Sequence, residues 1–478
     1  MRNLLILILA FCTLTLSARS KKPPLPVQPS KVALTPEFRY RLTLRDKAES
    51  PYSIDRPEEF LSPKSIERRR RFGLTVDEHD LPVSPSYLRQ IRATGARVFN
   101  VSKWNNTVQV TLPDTTDGTL SRLRALPCVE SSLLVYVAPD SIDYEIEEPR
   151  QSILENKRPH TTAPDSIYGV SQRQVDQLNL PNLHSLGYRG ESMTIAVIDG
   201  GFYNADLITA FDHSRILGTR NIAFPGVDVY SQHPHGMMVL SCMAPDIPGT
   251  IIGTAPAASY YLIQSEDTRF EYRGEEDNWC AAIEYADSLG VDVVTSSLGY
   301  VYFEAPAAKL QYHWLDGRHE LNSRSASLAA SRGILLCNSA GNEGDNEWKK
   351  IGFPADASNI LTVGAVDDEG VNTIFSSVGY TADHRIKPDC MAMGGHTALL
   401  SPAGNTSHAN GTSFSCPVMA GAVTCLMQAC PAASPIDIID AIHRACNNSM
   451  HPNEIYGYGI PDILKAYEIL KSDEVLKN

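Results

Sequence analysis

Five short segments that are apolar almost throughout alternate with helical patterns from residue 166 onward. These segments are Thr194–Ile198, Tyr260–Ile263, Asp292–Ser296, Ile334–Asn338 and Ile360–Ala365. A segment without polar alternation predicts a strand that is covered on both faces, as in a parallel sheet. Helices are predicted between the strands at about 236–243, 279–289 and 325–331. We therefore expect an α/β fold with a doubly wound, mostly parallel sheet and helices on both faces.

The chain before this region divides into three parts. Residues 1–18 combine a basic start, a long apolar run and small residues, a pattern typical of a secretory signal peptide. Residues 21–138 begin with a Pro- and Lys-rich leader and continue as a small α+β domain. Residues 139–165 are acidic, contain several prolines and lack periodicity, which predicts a linker. The α/β domain is expected to span residues 166–472.

The signal-peptide pattern predicts secretion, to the cell exterior or to the periplasm. Bulky Phe11 stands where a lipid attachment site would have a small residue, which argues against a lipid anchor on Cys12. No internal apolar run reaches transmembrane length, so no membrane-spanning segment is expected in the mature chain. The formal net charge of −13 argues against nucleic acid and anionic membranes as partners.

The ten cysteines do not indicate a metal site. The sequence has no CxxC pair and no HExxH motif, which leaves a zinc site without support. Export permits disulfides, but the cysteine spacing does not fix their pairing. Cys337, Cys416 and Cys425 lie in apolar, small-residue segments, where each is expected to be a small buried side chain.

The stretch NGTSFSCPVMAG, residues 410–421, predicts a buried helix that starts near Ser413, ends near Ala429 and has Pro417 in its first turn. A hydroxyl at a helix N-terminus lies in a positive potential beside unpaired backbone N–H groups. That environment suits a nucleophile whose attack creates an oxyanion. Taken alone, the stretch favours the simpler interpretation that Ser413 only caps the helix.

Three other polar residues at predicted strand and helix ends favour catalysis instead. Asp199 ends the first strand, where a carboxylate can orient a histidine, and His235 begins an apolar helix. Asn342 lies between two glycines after the fourth strand, where a side-chain amide can serve an oxyanion hole. Each has a simpler role when considered alone, as a turn or surface residue. Together they give the chain order Asp, His, Ser at one edge of the predicted sheet.

On these motifs the chain resembles the subtilisin-like serine proteases (subtilases) over about residues 166–470. The segments AVIDGG, HGMMVLS, SAGNEG and GTSFSCPVMAG resemble the Asp, His, oxyanion and Ser motifs of that family. The resemblance implies a serine endopeptidase in which Ser413 forms an acyl-enzyme, His235 transfers the proton and Asp199 orients His235. It assigns the oxyanion to Asn342 and the backbone N–H of Ser413. The residues implied to bind substrate are Ser297, Leu298, Gly299, Ser339, Ala340 and Gly341.

The resemblance also gives the N-terminal region a role. It implies a propeptide that inhibits its own peptidase domain until cleavage, which we place in residues 139–165, and substrates that are proteins or peptides. The four arginines at 68–71 are expected to form a solvated helix end. No cofactor is expected to be required. Family members often bind structural calcium, and such a site stays open here as an alternative, although no oxygen-ligand loop can be assigned from the sequence.

Departures from the family pattern at Gly200, Met237, Phe414 and Cys416 remove no reacting group and bear on substrate preference. Two alternatives to a peptidase stay open at this point. One is a catalytically inactive binding or scaffold protein with the subtilisin fold, against which the intact set of four polar residues argues. The other is an esterase or peptide ligase that uses the same triad.

Overall fold

The computed structural model describes residues 30–33, 35–144 and 166–477. The expected signal peptide and most of the expected linker lie outside these residues. Within them, no helix is both long enough and apolar enough to cross a bilayer. Two parts follow one another along the chain: an N-terminal unit that ends at residue 144 and an α/β domain that begins at residue 166.

An antiparallel sheet of four strands forms the centre of the N-terminal unit. In chain order the unit contains β1 (Ser30–Ala33), β2 (Phe38–Leu44), α1 (Pro63–Arg71), α2 (Pro85–Ala93), β3 (Arg97–Ser102), β4 (Thr107–Leu112), α3 (Thr119–Arg124), β5 (Val129–Val137) and β6 (Ser141–Tyr144). The sheet order is β3-β4-β2-β5, and β1 pairs with β6 separately. Leu42 of β2 and Val110 of β4 share a core with Ile91 of α2 and Leu123 of α3. The expected α+β fold is confirmed.

The α/β domain is built on a seven-stranded sheet. Its elements are α4 (Gln172–Asp176), α5 (Leu180–Ser185), β7 (Thr194–Asp199), β8 (Ile216–Asn221), α6 (His235–Ser241), β9 (Asp246–Ile247), β10 (Ile251–Ile252), β11 (Ser259–Gln264), α7 (Glu275–Leu289), β12 (Val293–Ser296), α8 (Leu321–Ala329), β13 (Leu335–Ser339), β14 (Leu361–Val366), β15 (Cys390–Met393), β16 (Thr397–Leu400), β17 (Thr406–Ala409), α9 (Thr412–Ala429), α10 (Pro435–Ala445) and α11 (Ile463–Lys477). Single-turn 3-10 helices occupy residues 57–59, 78–80, 213–215, 229–231, 312–314 and 330–332.

The seven strands run in the order β15-β14-β13-β12-β7-β11-β8, and every neighbouring pair is parallel. The five predicted strands form the centre of this sheet. Side chains of β7 alternate between the two faces: Ile195 and Val197 pack on the side of α6 and α9, and Ile198 packs on the side of α7 with Trp279. The doubly wound α/β fold is therefore confirmed.

A buried cluster of ion pairs joins the N-terminal unit to α7. Arg68 and Arg69 of α1 contact Asp287 of α7 at 2.5 Å and 3.0 Å, and Lys103 contacts the same carboxylate at 3.2 Å. The prediction of a solvated helix end is wrong for Arg68 and Arg69, which are only 4% and 1% exposed, because the α/β domain covers them. Burial raises the pKa of Asp287, but the three cations outweigh burial and hold that pKa well below its usual range.

We expect Asp287→Asn to lower the free energy of unfolding of the unprocessed chain by about 3–5 kcal/mol, because it removes the anion that three cations share and leaves only Arg69 with a second carboxylate, that of Asp80. The folded-state pKa of Asp287 lies below its unfolded value. Its contribution is therefore present at every pH above about 4 and is lost only as the pH falls through the folded value. Urea unfolding at neutral pH measures the difference between wild type and variant.

Asp440→Asn is the matched control for this measurement. Asp440 pairs with Arg444 at 3.0 Å, but both side chains are about half exposed. Exposed ion pairs contribute less than about 1 kcal/mol. Equal losses in the two variants would contradict the role given to the buried cluster.

Candidate active site

The polar residues singled out by the sequence meet in one cleft of about 330 Å³. Asp199 is the last residue of β7, His235 is the first residue of α6, and Ser413 is the second residue of α9. Asn342 follows β13 and lines the same cleft. The cleft lies at the carboxyl ends of the parallel strands, where open α/β sheets bind their ligands.

Asp199 and His235 form a hydrogen-bonded pair. Oδ1 of the fully buried Asp199 accepts hydrogen bonds from Nδ1 of His235 at 2.8 Å and from the N–H of Gly200 at 2.7 Å. Because a carboxylate can only accept, the proton lies on Nδ1, and Nε2 of the neutral ring is left as an acceptor. Burial lowers the pKa of His235, but the attraction of Asp199 and its hydrogen bond outweigh burial and hold the pKa above 6.5.

A glycine brings α6 close enough to β7 for this bond. A Cβ on Gly236 would lie 2.5 Å from the carbonyl oxygen of Gly201 and 2.8 Å from Cβ of Asp199. Any larger residue would therefore push the start of α6 away from the end of β7. The glycine directly after His235 sets the distance between histidine and aspartate.

Ser413 stands at the N-terminus of a helix that is buried on nearly every side. Pro417 is inside α9 at its sixth position, so the expectation that it lies in the first turn is wrong. The carbonyl of Ser413 would normally accept from the N–H four residues on, which proline lacks. The hydroxyl of Ser297 donates to this carbonyl instead, at 2.8 Å.

Asn342 is held in a fixed orientation by the residue that precedes Ser413. Oδ1 of Asn342 accepts from the backbone N–H of Thr412 at 2.9 Å and from its hydroxyl at 3.0 Å. A backbone N–H can only donate, so the atom that faces it is the amide oxygen and not the nitrogen. The other end of the side chain, Nδ2, is therefore left as a donor beside the N-terminus of α9.

Comparison with known proteins bears on the identity of this cleft. A family model described as "Subtilase family" matches residues 190–459, which is more than half of the chain. The chain belongs to the subtilase family. A second model, described as the peptidase S8 propeptide domain of Bacteroidota, matches residues 39–153. The N-terminal unit is thus a subtilase propeptide domain, and the chain is a subtilisin-like serine endopeptidase.

Curated relatives agree with this assignment at low identity. Subtilisin NAT of Bacillus subtilis subsp. natto is 28% identical over 313 residues, which cover 64% of this chain and 72% of the relative. The alkaline protease of Shouchella clausii is 25% identical over 330 residues, which cover 69% of this chain and 77% of the relative. Subtilisin of Bacillus pumilus is 27% identical over 302 residues, with 63% and 98% covered.

The residues expected to bind substrate in this subtilase do not all reach the cleft. Ser297, Leu298, Gly299, Ser339 and Gly341 line it. Ala340 is fully buried, its N–H donates to the carbonyl of Val363, and its carbonyl accepts from the N–H of Gly352, so both main-chain groups are already bonded within the domain. The side chain of Ser297 is likewise engaged by α9.

Sequence reasoning gave no role to Thr412, although it stands inside the serine motif. Its hydroxyl accepts from the N–H of Gly341 at 3.2 Å while donating to Asn342. One side chain thus fixes both the loop after β13 and the amide that the loop carries. The sequence feature that could have indicated this role is a small hydroxyl residue directly before the serine.

The remaining expectations concern cysteines and metals. Cys337, Cys416 and Cys425 are buried and unpaired, as expected. Across residues 30–33, 35–144 and 166–477, His, Cys, Asp and Glu side chains form no group of three or more that could hold a metal ion.

We expect Ser297→Ala to destabilise the protein by about 1–3 kcal/mol, because the buried carbonyl of Ser413 loses its donor in a helix where proline cannot replace it. Thermal unfolding of the purified chain measures the loss. Ser331→Ala is the control, since the exposed Ser331 hydroxyl also donates to a backbone carbonyl, at 2.7 Å, and its removal is expected to cost less than about 0.5 kcal/mol. A loss in the control as large as in Ser297→Ala would contradict this account.

Proposed function

We propose that this subtilase is a secreted endopeptidase, made as a zymogen, with Asp199, His235 and Ser413 as its catalytic triad. The observation that carries the proposal is the 2.8 Å bond from His235 Nδ1 to buried Asp199, in the same cleft as the serine at the start of α9. His235 also lies against Phe414, the residue after Ser413, with 5.8 Å between ring centroids. A histidine base and the carboxylate that orients it therefore lie in the same cleft as the proposed serine nucleophile.

The proposed reaction follows from the donors and acceptors of this pair. Ser413 Oγ attacks the scissile carbonyl carbon while Nε2 of His235 takes the hydroxyl proton. The imidazolium gives that proton to the nitrogen of the leaving amine as the C–N bond breaks. Water then attacks the acyl-enzyme by the same proton relay and releases the acid and Ser413. Asp199 stabilises the imidazolium and stays ionised.

Asn342 and the helix N-terminus are proposed to stabilise the oxyanion. The N–H of Ser413 belongs to the first turn of α9, where backbone donors have no partner within the helix. Nδ2 of Asn342 is the second donor, because Thr412 holds Oδ1. Loss of one such donor typically lowers turnover by roughly 10²- to 10³-fold.

The match to a propeptide domain supports the proposal that this domain inhibits its own peptidase domain. Protein or peptide substrates would then compete with the propeptide for the same cleft. We propose residues 21–138 as the propeptide region and residues 166–472 as the peptidase domain, with cleavage in the linker at 139–165. Secretion is proposed from the signal-peptide pattern of residues 1–18.

A fluorophosphonate probe tests the nucleophile. We expect the probe to label the wild-type chain and not Ser413→Ala, because the probe reacts only with an activated serine. Gel fluorescence of the purified protein is the readout. Ser415→Ala is the matched control, since Ser415 is two residues further along α9 and its hydroxyl is bound to the carbonyl of Thr412 at 3.1 Å.

Labelling of Ser413→Ala at the wild-type level would falsify the assignment of the nucleophile. Absence of labelling in the wild type would favour the alternative that the chain is an inactive binding protein.

The Ser413→Ala variant also tests maturation: if processing is autocatalytic, Ser413→Ala stays full length while the wild type is shortened. A Ser413→Ala chain that is cut within 139–165 without other proteases would contradict autocatalysis.

The pH dependence of kcat/KM tests whether His235 is the general base. Because neutral His235 must accept the proton and its pKa is raised, we expect kcat/KM to rise with pH through a midpoint above 6.5. His233 lines the same cleft, but burial and then the charge of His235 hold its pKa below 6.5. The midpoint should therefore persist in His233→Gln. A midpoint below 6.5 that disappears in His233→Gln would assign the pH dependence of kcat/KM to His233 instead.

A further inference from the structure

The cleft that holds Ser413 is also lined by carboxylates that the proposed mechanism does not use. They are Glu266, Asp267, Glu271, Glu275 and Glu343. The basic side chains on its wall are the imidazoles of His233 and His235. A peptide that lies in this cleft therefore meets a wall with a strong excess of acidic groups.

Three of these residues form one group, here called the glutamate cluster: Glu266, Glu271 and Glu275. Glu266 is 6% exposed and Glu275, the first residue of α7, is 1% exposed, whereas Glu271 is half-buried. Mutual repulsion acts between them, since the charge of Glu271 raises the pKa of both neighbours. The cluster thus has one side chain that solvent or a ligand can reach.

The hydrogen bonds of the glutamate cluster come from hydroxyl and backbone groups and, between Glu271 and Glu275, from the two carboxyl groups themselves. Glu266 accepts from the hydroxyls of Ser265 at 2.6 Å and Tyr300 at 2.8 Å. Glu275 accepts from the backbone N–H of Asp267 at 2.9 Å. In the described part of the chain, no lysine or arginine forms an ion pair with any of the three glutamates.

The two arginines that flank Glu271 in the chain are engaged elsewhere. Arg269 binds Asp267 through two bonds of 2.6 Å, and Arg273 binds Glu276 and Glu320. Burial, and then repulsion by Glu271, raise the pKa of Glu266 to about 8. Burial also raises the pKa of Glu271 and Glu275. Ionised carboxylates in this position lack a counter-charge, which a cationic ligand would supply.

A second observation also points to a cation. Oδ2 of Asp199 is fully buried, has no hydrogen-bond partner among the described residues and belongs to a residue that lines the same cleft. The charge of Asp199 adds to the causes that raise the pKa of Glu266. The acidic field therefore extends from the cluster to the reacting residues.

The glutamate cluster borders the edge on which substrate is expected to lie. Tyr300, whose hydroxyl binds Glu266, directly follows Gly299 of that edge. A Cβ on Gly200 would lie 2.7 Å from Cγ2 of Thr268 and 3.9 Å from Cβ of Glu266, so Glu266 packs close to the residue that follows Asp199. Glu266 is thus next to the triad and next to the substrate edge at once.

We propose that the glutamate cluster binds a lysine or arginine side chain of the substrate, on the N-terminal side of the scissile bond, and makes this subtilase selective for basic sequences. The inference rests on the proposed function, because it takes the cleft as the substrate site. A guanidinium or ammonium can donate several charge-assisted hydrogen bonds to such carboxylates. The linker itself contains Arg150, Lys157 and Arg158, so the precursor already carries a sequence of this chemistry.

The test compares two fluorogenic peptides that differ at one position. One carries arginine and the other citrulline, which has nearly the same shape but no charge, at successive positions N-terminal to the cleaved bond. The enzyme is the secreted, self-processed protein. At one or more positions we expect arginine to raise kcat/KM about tenfold or more over citrulline, since the cation gains a buried ionic partner.

Variants assign this preference to the cluster. Glu271→Gln alters the half-buried member, and Glu266→Gln alters the buried one beside the triad. In both we expect the arginine-to-citrulline ratio to fall about fivefold or more. Glu347→Gln is the control, because Glu347 is exposed and lies outside the lining of the cleft, and its ratio should match the wild type.

Fluorophosphonate labelling of each preparation separates the two proposals. An enzyme that is labelled by the probe but cuts both peptides equally well retains its triad and overturns the inference about the glutamate cluster. A preference for arginine that survives in both glutamine variants also overturns it. Wild type that is neither labelled nor active on either peptide overturns the proposed function, and the inference falls with it.

Discussion

The burial of α9 is the constraint on which the rest of the α/β domain depends. This 18-residue helix is enclosed almost completely, and it packs against the central strands β12, β13, β14 and β15. A helix in such a position must satisfy its own backbone groups or meet partners from the strands around it. Its C-terminal half does so through helical bonds, whereas its first turn opens into the cleft. The unpaired donors at that end form the positive end of the helix dipole.

Pro417 extends this constraint into the active site. By removing one helical hydrogen bond it frees the carbonyl of Ser413, and the end of β12 supplies the replacement through Ser297. Thr412, one residue earlier, connects the same turn to the loop after β13. The start of α9 is therefore tied to two strands by side-chain bonds, which holds the serine in place without help from substrate. Such fixed positioning is what a preorganised oxyanion site requires.

The sequence predicted the centre of the fold better than its edges. Strands β7, β11, β12, β13 and β14 are apolar because helices cover both faces, and that pattern is visible without a structure. Edge strand β8 reads ILGTRN and is partly exposed, so it lacks the signal. The Asp, His, Asn and Ser residues could be predicted because each stands at the end of a predictable element. Their hydrogen bonds, and the exclusion of Ala340 from the cleft, depend on packing between segments far apart in the chain.

Charged residues were the least predictable part. A run of four arginines reads as a solvated helix end, and only the docking of α1 on α7 shows that Arg68 and Arg69 are buried. The glutamate cluster has the same property, since its members come from a loop and a helix start that look exposed in the sequence. In both cases a charge is buried where a second part of the chain, or a ligand, can neutralise it. Tertiary context decides this, and local pattern does not.

The acidic residues of α7 show which of these buried charges have partners in the propeptide unit. Glu276 and Asp277 bind Arg41, and Asp287 binds Arg68, Arg69 and Lys103. Glu284 accepts from the hydroxyl of Ser102 at 2.5 Å and from the backbone N–H groups of Lys103 and Trp104. All of these partners belong to the propeptide unit.

Glu275 is the exception among the acids of α7, and it is the one that faces the cleft. The propeptide unit, as far as the structure describes it, leaves Glu275 and its two neighbours without a cation. The other four acidic residues of α7 all have partners in the propeptide unit. Glu275 is buried and is repelled by Glu266 and Glu271, so it contributes nothing to the stability of the fold. Burying such a group costs folding free energy. A substrate that brings its own positive charge would recover that cost at the step where the enzyme must distinguish one peptide from another.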